Sequence, residues 1–281
     1  MELSQIDGQV FVSDCPGLAL GPFLKKGGQK SVWRCAFRDK AYVLKAIMAS
    51  DRASRRFVRE IEIMKSCDSP YLPKFGPIPL RELSVPPAEK VMYFLEEYIE
   101  GIPLASAIMP ASVAEVVALG RCIAKALTVL AKHRYVHRDV KPMNIIQQTS
   151  STYVLIDPGL ALDLDGDVLS VVGTGPVGTR AYYSPEQIAL PSPDLDGRSD
   201  LFSLGVTMYQ FATGEHPFWN DALPQGDIVR NIERLAPPDP REFVPILPDN
   251  LCNVISRLLQ KDREARYPSA ELLLAHLNEL S

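Results

Sequence analysis

The chain has 281 residues, of which 46% are hydrophobic and 23% are charged, with 30 basic and 34 acidic side chains and a net charge of −4. A disordered chain would hold fewer apolar residues and a larger charge imbalance, so this class is excluded. Because nucleic-acid-binding domains are normally basic, no nucleic-acid partner is expected. The length predicts two packed lobes, since a single hydrophobic core stops growing near this size.

Membrane and secreted classes are also not expected. The longest uncharged run, 142–156, contains polar residues and is too short to span a bilayer, and the first 15 residues lack the basic and apolar parts of a secretion signal. The five cysteines form no CxxC pair. They indicate reduced packing thiols, and therefore a cytoplasmic protein without a structural zinc site.

The first part of the chain contains short strands and one helix. Apolar and β-branched runs predict strands over 18–24, 31–37, 41–48, 74–80 and 91–96. A helix is predicted over 51–66, where Phe57, Ile61 and Met64 fall on one face. A proline-rich loop over 84–89 is expected between the last two strands.

After about residue 100 the pattern becomes helical. Ser112 and Glu115 form a capping-box signature, followed by an apolar stripe over 116–130. Residues 200–212 are apolar on all sides, which predicts a helix buried within a lobe, and further apolar stripes lie at 251–259 and 269–280. The predicted class is α+β, with a strand-rich N-lobe over 1–98 and a mainly helical C-lobe over 99–281.

The segment His137-Arg138-Asp139-Val140-Lys141-Pro142-Met143-Asn144 carries the strongest chemical signal. Asp139, Lys141 and Asn144 stand at fixed offsets, and Asp157 follows a predicted strand. Phosphoryl transfer needs such a set. One carboxylate orients the attacking hydroxyl, a cation offsets charge on the phosphoryl group, and an amide oxygen with a second carboxylate holds Mg²⁺.

This segment resembles the catalytic loop of eukaryotic-type (Hanks-type) serine/threonine protein kinases. Further motifs similar to those of the family follow in its order: Val43-Leu44-Lys45, Phe57-Val58-Arg59-Glu60, Gly178-Thr179, Ser184-Pro185-Glu186, Asp200-Leu201-Phe202-Ser203-Leu204-Gly205 and Arg266. The resemblance covers about residues 18–280 and implies a two-lobed kinase fold, ATP as co-substrate, Mg²⁺ as cofactor and proteins with Ser/Thr hydroxyls as substrates.

The resemblance also implies residue roles. Lys45 would orient the α- and β-phosphates and be oriented by Glu60, whereas Asp139 would orient the substrate hydroxyl and Lys141 would stabilise the γ-phosphoryl group. The other implied nucleotide-binding residues are Gly27, Gly28, Val32, Glu97, Ile99, Asn144 and Asp157, the last two as Mg²⁺ ligands. Two residues are implied to be structural: Asp200 would brace the catalytic loop, and Arg266 would pair with Glu186.

The chain departs from the family pattern at three places. In the segment 25–32, which aligns with the glycine-rich loop, only Gly27 of the three glycines remains, which should weaken backbone contact with phosphates. Pro158 replaces an aromatic residue, and proline should bias Asp157 toward an extended conformation and leave basal activity weak. Glu96 stands before the hinge in place of an apolar or small residue and must be hydrogen-bonded or solvated.

Smaller signals concern substrate and regulation. Lys141, together with Gly178-Thr179, resembles serine/threonine rather than tyrosine kinases. Arg138 resembles the arginine of kinases activated by a phosphate, for which Thr174 is the first candidate acceptor and Ser170 the second. Two alternatives remain: a pseudokinase acting as a binding module, favoured mildly by the altered loop, and a small-molecule kinase of the same fold.

Overall fold

The computed structural model describes residues 8–26, 30–85, 89–158, 161–163, 180–189, 195–219 and 225–280. The chain divides into two compact units, one of Met1–Asp68 with Pro73–Ile99 and the other of Ser69–Leu72 with Glu100–Ser281. The first unit is rich in strands and the second is mainly helical. The predicted α+β class is therefore confirmed.

The first unit is built on one antiparallel sheet with two helices. Its elements are α1 (Gln9–Asp14), β1 (Leu18–Lys26), β2 (Lys30–Phe37), β3 (Lys40–Met48), α2 (Asp51–Ser66), β4 (Arg81–Val85) and β5 (Glu89–Glu97). The strand order is β1-β2-β3-β5-β4. This order places β3 between β2 and β5, so side chains from these three strands can meet on one face.

The helix α2 has the bounds that the apolar spacing predicts. The hydroxyl of Ser50 caps it by accepting a hydrogen bond from the Ala53 amide at 3.3 Å. Phe57, Ile61 and Met64 are buried in one cluster with side chains of β3 and β5. Burial of this stripe holds α2 to one part of the sheet and thereby positions the rest of the helix.

The strand predicted near 74–80 is wrong. The strand β4 begins at Arg81, and it includes Ser84 and Val85, which the sequence placed in a loop. The segment before it makes only an isolated bridge from Phe75 to Glu96. Pro77 and Pro79 lack the N–H groups that a strand ladder requires, which explains why regular pairing starts after them. The sequence analysis also missed α1, whose Phe11 is fully buried against Trp33 and Tyr93.

The second unit is mainly helical. Its helices are α3 (Val113–Lys132), α4 (Pro185–Ile188), α5 (Arg198–Thr213), α6 (Gln225–Arg234), α7 (Asp249–Leu258) and α8 (Ala270–Glu279). Its strands are β6 (Ile102–Pro103), β7 (Tyr135–Val136), β8 (Ile145–Thr149), β9 (Thr152–Leu155) and β10 (Leu162–Asp163). The strands pair in two small sheets, of order β6-β8-β9 and β10-β7.

Two predicted helices of this unit are confirmed in detail. The capping box predicted at the start of α3 forms, with Ser112 and Glu115 each bonded to the other's backbone amide. The helix α5 is buried on nearly all sides. A Cβ atom at Gly205 would lie 2.6 Å from the Leu258 Cβ, so glycine permits the close packing of α5 on α7. In the described parts of the chain, no helix is both long and apolar enough to cross a membrane.

Candidate active site

The candidate residues form two groups, one in each unit. The first, called here the lysine cluster, consists of Lys30, Lys45, Glu60 and Glu96. Lys45 lies on β3 and its Nζ donates a hydrogen bond to Glu60 Oε1, on α2, at 2.5 Å. Both residues are buried. The structure therefore brings together the two residues that the sequence analysis paired.

A second carboxylate holds Lys45 from within the sheet. Lys45 Nζ donates to Glu96 Oε2 on β5 at 2.6 Å. In the β3–β5 register, Glu96 lies opposite Val43, two residues from Lys45, so the two side chains share one face of the sheet. The expectation that Glu96 must be hydrogen-bonded or solvated is met by this ion pair.

The fourth member of the cluster balances its charge. Lys30 Nζ on β2 donates to Glu60 Oε2 at 3.2 Å and lies 3.4 Å from Oε1. Burial and the charge of Glu60 raise the pKa of Glu96, whereas the charges of Lys45 and Lys30 lower it. The sequence indicated that Glu96 needs a partner but did not identify Lys45 as that partner. It also gave no signal that Lys30, at the position of the third glycine of the family's loop pattern, pairs with Glu60.

The remaining nucleotide-binding predictions in this unit differ in outcome. Gly27 and Gly28 lie outside the described residues. Val32 is half-buried on β2, directly opposite Lys45. The Glu97 amide donates to the Lys74 carbonyl at 2.9 Å, so it is already engaged, whereas Ile99 is half-buried at the end of the unit.

The second group, the aspartate cluster, consists of Asp139, Lys141, Asn144 and Asp157. Lys141 Nζ lies 2.7 Å from both carboxylate oxygens of Asp139. Asn144 Nδ2 donates to Asp139 Oδ2 at 2.7 Å and to the Asp139 carbonyl at 3.0 Å. Burial raises the pKa of Asp139 above its ordinary value, although the charge and hydrogen bonds of Lys141 act to lower it. The charge of Asp157 acts in the same direction as burial. The carboxylate of Asp139 is thus the centre on which two other predicted residues converge.

The backbone of this segment is held from α5. The amides of His137 and Arg138 donate to the two carboxylate oxygens of Asp200, each at 2.7 Å. Asp200 is buried, and burial raises its pKa to about 7, against the lowering effect of these two amides. The predicted structural role of Asp200 is confirmed. The sequence analysis missed Gln187, whose Nε2 donates to the Arg138 carbonyl at 3.1 Å.

The conformation of Asp157 corrects one prediction. Asp157 has a φ of 66°, in the left-handed region, rather than the extended conformation expected of a residue before proline. Hydrogen bonds on both sides of Asp157 act against the local preference: the Ile156 amide donates to the Asn144 carbonyl at 2.8 Å, and the Pro158 carbonyl accepts from the Ala161 amide, three residues later, at 2.9 Å. Aspartate tolerates this region better than most side chains.

The donor set of the aspartate cluster fits a magnesium ion. The Nδ2 of Asn144 is committed to Asp139, which leaves its Oδ1 as the acceptor of that amide. Asp157 supplies a second carboxylate, whose negative charge acts to raise the pKa of Asp139. Carboxylate and amide oxygens are the hard ligands that Mg²⁺ prefers.

An ion pair of the same unit joins the buried Arg266 to the half-buried Glu186. Arg266 Nη1 and Nη2 donate to Glu186 Oε1 and Oε2 at 2.7 and 2.9 Å, as the sequence analysis predicted. Burial alone would raise the pKa of Glu186, but the hydrogen bonds and charge of Arg266 bring it below its ordinary value. The candidate phosphoacceptors Thr174 and Ser170, and the Gly178-Thr179 pair, lie outside the described residues.

Comparison with known proteins agrees with this geometry. The model of the protein kinase domain family matches residues 22–277. A probable serine/threonine-protein kinase, CPE1738, of Clostridium perfringens is 28% identical over 91% of this chain and 37% of its own length. The serine/threonine-protein kinase PknB of Mycolicibacterium smegmatis is 31% identical over 92% of this chain and 42% of its own length.

A third relative gives a similar result. The DNA damage-responsive serine/threonine-protein kinase RqkA of Deinococcus radiodurans is 30% identical over 90% of this chain and 38% of its own length. The chain therefore spans about two fifths of the length of these curated relatives. Because the family model covers both units and the residues that build both clusters, the chain belongs to the protein kinase family.

Proposed function

We propose that this chain is an ATP- and Mg²⁺-dependent serine/threonine protein kinase domain that transfers the γ-phosphoryl group of ATP to protein hydroxyls, its own included. The observation that carries the proposal is the convergence of Lys141 and Asn144 on the carboxylate of Asp139. Family membership supports it, as do the relatives described as serine/threonine kinases.

In this proposal Asp139 receives and orients the substrate hydroxyl. Its carboxylate accepts hydrogen bonds from Lys141 and Asn144, which hold it in one orientation. The same oxygens can accept a hydrogen bond from a Ser or Thr hydroxyl and direct its lone pair at the phosphoryl group. Lys141 lies beside this point and supplies positive charge where negative charge develops in the transition state.

Lys45 is proposed to bind the α- and β-phosphates of ATP. Glu60 keeps its ammonium group in place through the 2.5 Å hydrogen bond. Asn144 and Asp157 are proposed to hold Mg²⁺, which when bound would neutralise phosphate charge. Gly27, Gly28, Val32 and the hinge backbone at Glu97 and Ile99 complete the proposed nucleotide site.

The proposed substrate class and location depend on weaker observations. Lys141, two residues after Asp139, resembles the lysine of serine/threonine kinases, and proteins with Ser/Thr acceptors are therefore the proposed substrates. All five cysteines are free and buried, which supports a reducing, cytoplasmic location.

The proposal is tested by incubating the protein with labelled ATP, Mg²⁺ and a general acceptor such as casein. We expect label on phosphoserine and phosphothreonine of the acceptor and of the chain itself, dependence on Mg²⁺, and loss of label in Asp139→Asn. ATP binding without transfer would indicate a pseudokinase and contradict the proposal. Label found only in small molecules would indicate the other alternative.

A further inference from the structure

The lysine cluster contains two of the positions at which this chain departs from the family pattern. Lys30 aligns with the third glycine of the loop pattern, and Glu96 stands where an apolar or small residue is usual. The structure places both in one chain of contacts, from Lys30 to Glu60, from Glu60 to Lys45, and from Lys45 to Glu96. Glu96 therefore contacts Lys45, the residue proposed to bind phosphates, directly, and Lys30 is linked to Lys45 through Glu60.

Burial makes the charge of this cluster matter. Lys45, Glu60 and Glu96 are 4%, 1% and 3% exposed, and the side chain of Lys30 is 20% exposed. Lys45 and Glu60 alone form a neutral pair. Among these four described residues, Glu96 adds one negative charge to a site with little water, and Lys30 adds one positive charge that offsets it. An unbalanced charge in such a place is costly, so each addition favours the other.

The two carboxylates hold Lys45 from different elements. Glu60 lies on α2, whereas Glu96 lies on β5, which pairs with the strand of Lys45 itself. The contact with Glu96 therefore depends only on the sheet and adds to the hold that Glu60 of α2 has on Nζ. Glu60 and Glu96 both accept a hydrogen bond from Lys45 Nζ. Lys30 gives Glu60 a second cationic partner, because its Nζ contacts both Glu60 oxygens.

We propose that Lys30 and Glu96 are a compensating pair of positioning residues, which together hold the Lys45 ammonium group in place for the nucleotide phosphates. The proposal rests on the proposed kinase function for the role of Lys45. The charge pairing itself does not depend on that function. We expect the loss of either residue alone to disturb the position of the Lys45 ammonium group.

The pair is tested with Lys30→Met, Glu96→Gln and the double variant, since both substitutions keep the approximate side-chain size. The matched control is Lys90→Met with Glu82→Gln, an exposed ion pair of the same sheet with a distance of 2.6 Å. We expect each single variant to raise the KM for ATP about tenfold, the equivalent of about 1.4 kcal/mol for each variant. The double variant should lose less than the product of the single losses, and the control should change neither parameter.

A pH profile separates positioning from a general loss of stability. Glu96 is surrounded by Lys45 from β3, Glu60 from α2 and Lys30 from β2. Removal of Lys30 should raise the pKa of Glu96 further, because one of the positive charges that lower this pKa is lost. As the pH rises through that pKa, the ionised Glu96 adds an unbalanced negative charge beside Lys45, and kcat/KM for ATP should fall. This fall should be absent from the double variant, which has no carboxyl group at position 96.

A titration without nucleotide keeps this inference distinct from the proposed function. The pKa of the Glu96 carboxyl is measured by ¹³C NMR in the wild-type protein and in Lys30→Met. An upward shift supports the pairing, and it does so even if no variant transfers phosphate, a result that would overturn the proposed function alone. An unchanged Glu96 pKa, or purely additive KM losses in the double variant, would overturn the pairing.

Discussion

The aspartate cluster and the lysine cluster differ in how far along the chain their members lie. In the aspartate cluster, Lys141 and Asn144 contact a carboxylate two and five residues away, and Asp157 is the one member from outside this segment, 18 positions after Asp139. In the lysine cluster, the contacts join residues separated by 15, 30 and 51 positions and come from β2, β3, α2 and β5. The short-range cluster keeps the family pattern, whereas the long-range cluster carries two departures.

This difference has a physical basis. In the aspartate cluster, Lys141 and Asn144 both bond to the one carboxylate of Asp139, so a change of Asp139 affects both contacts at once. In the lysine cluster, each side chain is supplied by a separate element, and a new charge can be accepted if another element supplies its counter-charge. At a site assembled from distant segments, departures from the family pattern should therefore be judged together and not one residue at a time.

The largest expected effect concerns the ion pair between Arg266 and Glu186. Arg266→Met leaves the half-buried carboxylate of Glu186 without its bidentate partner, while Ser199 still donates to it, and we expect a loss of about 3 kcal/mol in the free energy of unfolding. Because Arg266 also donates to the Arg198 carbonyl at the start of α5, the helix that carries Asp200 should loosen. Urea denaturation of the variant measures the loss.

The pH dependence of the same variant provides its internal check. In the wild-type protein the pKa of Glu186 is lowered on folding, so its contribution to stability is present above the ordinary carboxyl pKa and is lost as the pH falls through the lowered value. Arg266→Met should weaken this acid-dependent loss. An unchanged acid limb of the stability profile would contradict the assigned pairing.

The aspartate cluster itself is broken by Asp139→Asn. The amide keeps the size of the side chain but removes the charge that Lys141 contacts, and we expect phosphoryl transfer to fall by at least about 10²-fold. Asp249→Asn, whose side chain is 81% exposed, is the matched control in the same unit and should retain full activity. Steady-state rates with labelled ATP measure both, and substantial transfer by the Asp139 variant would remove the cluster from the mechanism.

Asp200→Asn tests how the backbone of the catalytic loop is held, without changing a side chain of the aspartate cluster. An amide offers only one acceptor oxygen, so one of the His137 and Arg138 amides loses its partner. We expect a cost of about 1–3 kcal/mol in the free energy of unfolding, together with reduced turnover, because the segment that carries Asp139 is less firmly held. Hydrogen exchange at the two amides should increase. Full protection of both amides would show that the loop is held by other contacts.

The smallest effect compares helix caps in the two units. Ser50→Ala and Ser112→Ala each remove a side chain that caps a helix, α2 and α3 respectively, at an expected cost of about 1 kcal/mol each. Only α2 carries a member of the lysine cluster, so Ser50→Ala should raise the KM for ATP while Ser112→Ala leaves it unchanged. Equal KM values in the two variants would show that Glu96 positions Lys45 without help from α2.

Sequence determined the helices α2, α3, α5, α7 and α8 and most of the aspartate cluster, because these depend on contacts between close neighbours, whereas α1 and α6 were not predicted. The bounds of α2 follow from Ser50 and a regular apolar stripe, and the cluster around Asp139 follows from fixed offsets in one segment. Local preference failed where it met a tertiary constraint. Prolines moved the start of β4 to Arg81, and the hydrogen bonds around Asp157 imposed a φ of 66°.

Only the tertiary structure decided the composition of the lysine cluster. From sequence, Glu96 was an acidic residue in need of a partner and Lys30 was a substituted glycine, with 66 positions between them by their numbering. Strand order brings β2 and β5 to either side of β3, and the packing of α2 on the sheet brings Glu60 between the two lysines. Such pairing is decided by register and burial over the whole sheet, which no local pattern of residues records.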